Sequence, residues 1–514
     1  MPKKYLAGID IGTTGSKAAI YDLEGNAVVS AYEEYTCSYP KPNWVDQDAA
    51  FIVSSSMRSA KKAVAQSNLN PEDICSVSFS AQRCCSIFVD KDGNILRPMI
   101  SWQDARTVEE VDDIAAKISA EKFYEITSMP LNTLYILTKM LWVRKNEPEI
   151  WEKVHKVIQL QDYTLRRWGV DGYYHDISDA GFYGLWNPFE FAWSDRLLAL
   201  FELDKGLLPQ PTQSGTQVGV ISKEVSDKTG IAAGTPICVG LGDQNSAAVG
   251  AGIVKPGYMS ISLGTGSLAA AYLDSPFRDP HGKSMVTNHA TYGKWQLEGI
   301  QMGSASVYRW FRDEIAKLEK INAERSGKDV YVLFDEMIAT VPPGAKGLLL
   351  LPYFASAATP RWNSNARGAI AGLTFAHDTA CLARCFMEGI TLEIRDMLSA
   401  LFNSGLEITK VRILGGPTKS ALWNQMQADI YNRSVETLKN TDAAVLGAAI
   451  SAGVGVGIFN EFEEGVSEMI SVGQEYHPNE ENVKLYDELY HVYCKMYEGL
   501  EEKGVFDLLA KIQK

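Results

Sequence analysis

The sequence lacks the marks of several large protein classes. No Cys-x-x-Cys pair occurs among its eight cysteines, Cys37, Cys75, Cys84, Cys85, Cys238, Cys381, Cys385 and Cys494. Cys84 and Cys85 are adjacent, which is poor geometry for a disulfide. Both facts point to reduced thiols in a cytoplasmic protein rather than an oxidised, secreted one. There is no surplus of positive charge: 49 Lys and Arg face 63 Asp and Glu, a net charge of −14. An acidic chain has no broad basic footprint, so neither nucleic acid nor an anionic membrane is expected as its main partner. An anionic ligand would have to be held locally, by backbone amides, a few cations or a metal. No long apolar run is present either. The longest, Ala443 to Phe459, is broken by Gly and Ser and is too short to span a bilayer. It reads as a tightly packed core helix followed by a Gly-rich turn. The chain starts Met1-Pro2-Lys3-Lys4 and runs straight into a strand-like segment, with no signal-peptide core. His-Glu-x-x-His, Gly-x-Ser-x-Gly and zinc-type spacings are absent, and no Gly-x-Gly-x-x-Gly follows a strand. Zinc proteases, serine hydrolases of the nucleophile-elbow type and dinucleotide enzymes are therefore disfavoured.

What is present is an ordinary soluble composition, 46% apolar and 22% charged, over 514 residues. That length suits several core-sized units or two large ones. The chain opens as a predicted meander. Tyr5 to Ile11 is a buried strand, Gly12-Thr13-Thr14-Gly15-Ser16 a turn, Lys17 to Tyr21 a second strand, and Ala27 to Tyr35 a third. Ala49 to Ser67 reads as a helix, Ile74 to Ser80 as a strand, and Thr107 to Trp168 as mostly helical. The opening recurs near residue 260, where Ser260-Ile261-Ser262-Leu263-Gly264-Thr265-Gly266-Ser267 again gives strand, Gly-Thr turn and strand. Two similar starts about 250 residues apart indicate a duplicated α/β domain. Two unrelated glycine hairpins would look alike on spacing alone. The boundary is expected near Ser246 to Gly257. Further strands are expected at Gly347 to Pro352 and Lys410 to Leu414, and helices at Ala380 to Asn403 and Ser420 to Tyr431. A helical tail follows Val466.

Four segments carry possible chemistry. Asp10-Ile11-Gly12-Thr13-Thr14-Gly15-Ser16-Lys17 places an acid at a strand end, then glycines, hydroxyls and a lysine. Such a turn can cradle phosphate through backbone amides, with Asp10 facing Mg²⁺ through water. A strand follows it rather than a helix, so it is no Walker A loop. It could also be a plain hairpin turn. Gly264-Thr265-Gly266 repeats the turn with Ser262 in place of the acid. In Gly240-Leu241-Gly242-Asp243-Gln244-Asn245, Asp243 could act as a general base or merely cap a helix. Gly415-Gly416-Pro417 is a strand–Gly–helix turn that could admit a nucleotide base, or could be only a loop.

Together these segments resemble the FGGY family of carbohydrate kinases, within the actin-like ATPase superfamily. Gly8-Ile9-Asp10-Ile11-Gly12-Thr13-Thr14, Gln82-Arg83, Trp102-Gln103-Asp104-Ala105-Arg106, Lys139-Met140-Leu141-Trp142, Gly242-Asp243-Gln244, Leu263-Gly264-Thr265-Gly266, Gly415-Gly416 and Leu446-Gly447-Ala448-Ala449 carry the resemblance in order. It implies an α/β fold of two actin-like (ribonuclease H-like) domains with the active site in an interdomain cleft. The first would span 1–250 and the second 251–514 with the helical tail. It implies ATP and Mg²⁺ as cofactors. Asp243 would be the catalytic base and Asp10 the metal-side acid. Thr13, Thr14 and Lys17 would lie near the phosphates, Gly264 and Thr265 at the terminal phosphates, and Gly415 and Gly416 at the adenine. Gln82, Arg83, Trp102, Asp104, Asp243 and Gln244 would line the sugar site.

The sequence departs from the family in places. Leu134 and Ile136 break the front of the first signature; Cys381 and Cys385 are atypical in the second, which keeps Gly368, Gly372-Leu373 and Glu388; Asp442 stands where Glu is usual. Members of the glycerol kinase branch carry Glu where this chain has Cys84 and Tyr where it has Leu134. Xylulokinases carry Met-His where it has Arg83-Cys84. Loss of an acid and a phenol makes a glycerol-sized site looser and less polar. The expectation is a kinase for a terminal hydroxyl of a four- or five-carbon polyol or ketose, a pentulose above all, with a homodimer as the possible assembly. The alternatives are a glycerol kinase and, from another class, an actin-like regulatory ATPase without sugar kinase activity.

Overall fold

The computed structural model describes residues 4–402 and 405–513. The chain folds as two compact units. The first takes in the chain as far as Pro256, together with Tyr272–Leu297 and Asp442–Ser471; the second takes in Gly257–Ala271, Glu298–Thr441 and the chain from Val472.

In the first unit, β1 (Tyr5–Ile11), β2 (Gly15–Tyr21) and β3 (Ala27–Glu34) form the expected antiparallel meander. β1 and β2 are buried nearly throughout, whereas β3 alternates between exposed and half-buried residues, as an outer strand should. Helix α1 (Ala49–Ser67) has the expected bounds. The Asp48 carboxylate accepts from Phe51 N at 2.9 Å at its start, and Asn68 ends it with φ of 55°. Strand β4 (Ile74–Ala81) runs parallel to β1. The sheet continues through β5 (Gln217–Val220) and β6 (Pro236–Cys238), giving the order β5-β6-β4-β1-β2-β3, while β7 (Leu241–Gly242) also pairs with β4. Ile11 pairs with Ala81, and Ala81 with Gly242, so the carboxyl ends of β1, β4 and β7 lie side by side. Ligands of open parallel α/β sheets bind beyond such ends.

In the second unit, β8 (Tyr258–Leu263) pairs antiparallel with β9 (Ser267–Leu273) and parallel with β10 (Lys410–Leu414). β11 (Ser434–Leu438) and β12 (Val472–Tyr476) extend that side. The repeat read from the sequence is thus repeated in topology: a hairpin around a Gly-Thr turn, with a parallel strand against its first arm. Within the hairpins Asp10 pairs with Lys17, whereas Ser262 pairs with Leu268.

The apolar segment near residue 450 is α6 (Ala443–Gly455), which follows α2 (Ile136–Asn146), α3 (Asp243–Gly250), α4 (Thr379–Phe402) and α5 (Ala421–Tyr431) in the chain. Its packing depends on small residues. A Cβ on Gly8 would lie 2.1 Å from Val445 O, and one on Gly447 1.9 Å from Ser246 O. Backbones meet directly there, which no larger residue permits. The tail helix α7 (Glu480–Glu502) docks on α4: Tyr486 Oη donates to Glu388 at 2.8 Å, and Arg395 to Asp487 at 2.6 Å. The expected helical tail contains one strand, β12. Four of its five residues are exposed, so no apolar alternation marks it in the sequence.

Candidate functional site

The first unit gathers several of the residues singled out above at the carboxyl ends of β1, β4 and β7. Asp10 is the second-last residue of β1, and Ser80 Oγ donates to its Oδ1 at 2.6 Å. Burial, opposed by that hydrogen bond and assisted by the charges of Asp243 and Asp442, raises the Asp10 pKa to about 7. Lys17, opposite it on β2, makes an ion pair with Asp442 at 2.6 Å. The turn between them is closed by Gly12 N donating to Gly15 O at 3.0 Å. Thr13 is half-buried and Thr14 exposed at its tip.

Thr13 is the hub of the next connections. Trp102 Nε1 donates to Thr13 Oγ1 at 2.9 Å, and Gln47 Nε2 donates to its carbonyl at 2.9 Å. Gln82 Nε2 in turn donates to Gln47 Oε1 at 3.1 Å. The phosphate-type turn, the tryptophan and the glutamine are therefore parts of one network.

Asp243 opens α3; the residue before it, Gly242, occupies the cap position, so Asp243 is not the helix cap. Its side chain is 29% exposed and lies 3.5 Å from Arg83 Nε. Gln244 N donates to its Oδ1 at 2.8 Å, leaving Gln244 half-buried beside it. The Arg83 guanidinium stacks 4.0 Å from the Phe182 ring centre and donates to Asn245 Oδ1 at 3.1 Å. A partly exposed carboxylate is thus fixed by a buried, stacked cation, an arrangement able to orient a hydroxyl and accept its proton.

Asp104 does not join this group. It is 1% exposed and receives Val45 N at 2.6 Å, Arg106 Nε at 2.9 Å and Arg106 Nη2 at 2.7 Å. Both its oxygens are occupied, and the ion pair braces the segment that carries Trp102.

In the second unit, Gly264 N donates to Gly266 O at 2.9 Å, closing a tight turn with Gly264 and Thr265 exposed. Ser262 pairs with Leu414, so Gly415 and Gly416 emerge next to that turn. Gly415 has φ of 99°, and a Cβ there would lie 2.2 Å from Leu263 O; around Gly416 there is open space. Glycine is required at the first position by conformation and close approach.

Comparison with known proteins now decides the family. The N-terminal domain of the FGGY family of carbohydrate kinases matches residues 5–250, and its C-terminal domain matches 259–456. The chain belongs to the FGGY family of carbohydrate kinases. It is an ATP-dependent sugar kinase of mixed α/β architecture with two actin-like domains. It is 29% identical to a xylulose kinase of Bacillus subtilis over 96% of this chain and 97% of the relative. It is 28% identical to a gluconokinase of Bacillus licheniformis over 97% and 96%. A glycerol kinase of Coxiella burnetii is 28% identical over 90% and 91%. Among solved structures, a ligand-bound xylulose kinase from Lactobacillus acidophilus superimposes with a TM-score of 0.89 at 25% identity, covering 97% of this chain and 98% of that one.

Several residues tied to this cluster by hydrogen bonds were given no role from sequence. Ser80 ended a strand read there and Asn245 closed the quoted Gly240–Asn245 segment. Gln47 lies on a separate segment between Val45 and α1, and only the fold brings it to Thr13 and Gln82. Among the described residues no helix is long and apolar enough to cross a membrane.

Proposed function

We propose that this kinase transfers the γ-phosphoryl group of ATP to a terminal hydroxyl of a four- or five-carbon ketose or polyol, a pentulose first. The observation that carries the reading is the Asp243–Arg83 pair, a half-exposed carboxylate held 3.5 Å from a buried guanidinium at the end of β7. Asp243 accepts the hydroxyl proton as the oxygen attacks. General-base help of this kind contributes about 10²–10⁴-fold, and positioning and charge stabilisation supply most of the rest. Gln82, Arg83, Trp102 and Gln244 bind the sugar. Asp104 acts through Arg106 as a brace rather than as a sugar ligand.

Thr13, Thr14 and Lys17 bind phosphate oxygens of ATP, Gly264 and Thr265 its terminal phosphates, and Gly415 and Gly416 the adenine. The residues present fit Mg²⁺. Asp10 has its pKa raised to about 7 by burial together with the charges of Asp243 and Asp442. A cation relieves that crowding, and Mg²⁺ needs few protein ligands because it keeps its waters. Asp10 would hold it, and its chemistry is neutralisation of phosphate charge. The soluble composition and free thiols suit action in the cytoplasm.

The substrate choice rests on Cys84 and Leu134, which offer neither acid nor phenol. Relatives named for xylulose, gluconate and glycerol share similar identity, so a screen of coupled ADP release is the test. The expected best substrate among D-xylulose, D-ribulose, erythritol, D-gluconate and glycerol is a pentulose. ADP release independent of any added sugar would favour a regulatory ATPase instead.

A further inference from the structure

Behind Arg83 lies a cluster of buried acids that the reading above does not use. Asp162 is saturated: Gln159 N donates to it at 2.9 Å, Tyr183 Oη at 3.4 Å, and His175 Nδ1 lies 2.8 Å away. Asp176 is saturated too, by Ser214 Oγ at 2.5 Å and by Ser178. Asp179 is not. It is 2% exposed, its Oδ2 lies 3.9 Å from His175 Nε2, and its Oδ1 has no hydrogen-bond partner among the described residues. A buried carboxylate oxygen left unpaired is costly and is kept only where something answers it.

The location of that oxygen is specific. A Cβ on Gly242, the residue before the proposed base, would lie 3.0 Å from Asp179 Oδ1 and 2.6 Å from Arg83 Cδ. Asp179 begins the short turn that places Phe182 against the Arg83 guanidinium. One turn therefore supplies both the ring beneath the arginine and a free acceptor beside it. His175, itself fixed by Asp162, faces the other carboxylate oxygen at 3.9 Å, beyond hydrogen-bond distance.

We infer that Asp179 is a sugar-binding residue whose Oδ1 accepts a hydrogen bond from a hydroxyl of the substrate held by Arg83. The inference rests on the proposed sugar site and adds a specificity determinant that no sequence motif marks. Glycine at position 242 lets Arg83 and Asp179 Oδ1 approach the backbone just before the base, where a side chain would collide with both.

The test is a cycle between protein and substrate. Asp179→Ala and Asp179→Asn are compared with wild type on the best-used sugar of the screen and on its monodeoxy analogues. Asp179→Ala is expected to raise the sugar KM about 10-fold or more, with the KM for ATP within about twofold of wild type. Asp179→Asn, which keeps an uncharged acceptor, falls between. One monodeoxy sugar that is penalised by wild type is expected to lose that penalty in Asp179→Ala and part of it in Asp179→Asn, an effect a merely structural role would not produce. If Asp179→Ala does not fold, Asp179→Asn carries the same cycle. Every deoxy penalty unchanged in the variants, or sugar KM unchanged, overturns the inference. Asp243→Asn run in parallel separates the two claims. Near-normal turnover in that variant sinks the proposed site and the inference with it, whereas its loss with Asp179 variants unaffected sinks the inference alone.

Discussion

Lys139 Nζ, fully buried on α2, donates to the main-chain carbonyl of Leu134 at 3.2 Å and also to that of Cys84. Leu134 and Cys84 are the two residues on which the substrate argument turns, and one ammonium ties both backbones together. Cys84 has φ of 62°, a conformation a non-glycine residue keeps only when its surroundings impose it. Its N–H is held as well, by Gln159 Oε1 at 2.7 Å. Lys139→Met keeps most of the volume but leaves two carbonyls without their donor, at about 1–3 kcal/mol each. The expected result is a Tm several degrees lower and a raised sugar KM, with the KM for ATP little changed. Thermal unfolding and steady-state kinetics check it; a variant with wild-type Tm and sugar KM removes Lys139 from the pocket's support.

Asp243→Asn tests the base. Turnover is expected to fall by about 10²-fold or more, with the fold intact by circular dichroism. Sugar binding should survive in part, because an amide oxygen still accepts a hydrogen bond and Arg83 still stacks on Phe182. Turnover near that of wild type would give the proton to another group.

Asp10→Ala tests the division of labour at the strand ends. Ser80 and the Gly12 turn remain, but the proposed metal-side carboxylate is gone. The Mg²⁺ requirement is expected to rise and turnover to fall, while sugar affinity measured without nucleotide stays near wild type. A large loss of sugar affinity would place Asp10 on the sugar's side instead.

How much of this could be read beforehand depended on distance along the chain. The two Gly-Thr turns were legible because glycines and hydroxyls mark a turn locally, and the hairpins formed around them. Helix α1 was read from sequence with the bounds that the structure shows. Asp104 was expected to line the sugar site because the resemblance implied it. The residue two further on, Arg106, takes both its oxygens, and nothing in the spacing shows that. Gln47 and Asp179 reach their partners only through strand register and turn packing, so neither stands out in sequence. β12 failed for the opposite reason, since an exposed outer strand needs no apolar alternation.

His289 offers a pH test apart from the site. It is buried, Thr291 N donates to its Nδ1 at 3.0 Å, and its Nε2 lies 2.9 Å from Ile253 O. A backbone N–H at Nδ1 requires the neutral ring with the proton on Nε2. Burial, opposed by the Ile253 bond, lowers its pKa from 6.5 to about 4. The unfolded chain then binds more protons than the folded one between those values. Stability contributed by the neutral ring is present above pH 6.5 and lost as pH falls through 4, by roughly 3 kcal/mol at most. The gap in unfolding free energy between wild type and His289→Gln should shrink from pH 7 to pH 4 in urea titrations. A gap constant with pH would show that the histidine charges without cost.

Substrate size gives the last test, and it rests on Cys84 and Leu134. Cys84 is 3% exposed and its thiol is held well above its usual pKa by burial, so it offers a sugar neither charge nor a strong hydrogen bond. Leu134 is half-buried and purely apolar. A site missing an acid and a phenol leaves glycerol's hydroxyls unanswered, at about 1–3 kcal/mol each. Two such losses amount to roughly 10²–10⁴-fold in specificity. A pentulose or tetritol fills the same space with its own carbons and brings further hydroxyls to Arg83 and Gln82. Cys84→Glu with Leu134→Tyr is therefore expected to move preference toward glycerol, the new carboxylate sitting near the Lys139 ammonium that already binds the Cys84 carbonyl. Ordered waters could instead supply the missing contacts and keep glycerol as the substrate. Values of kcat/KM for glycerol, D-xylulose, D-ribulose and erythritol, in wild type and the double variant, separate the two. Glycerol preferred by wild type about tenfold or more would overturn the pocket argument and leave the kinase assignment standing.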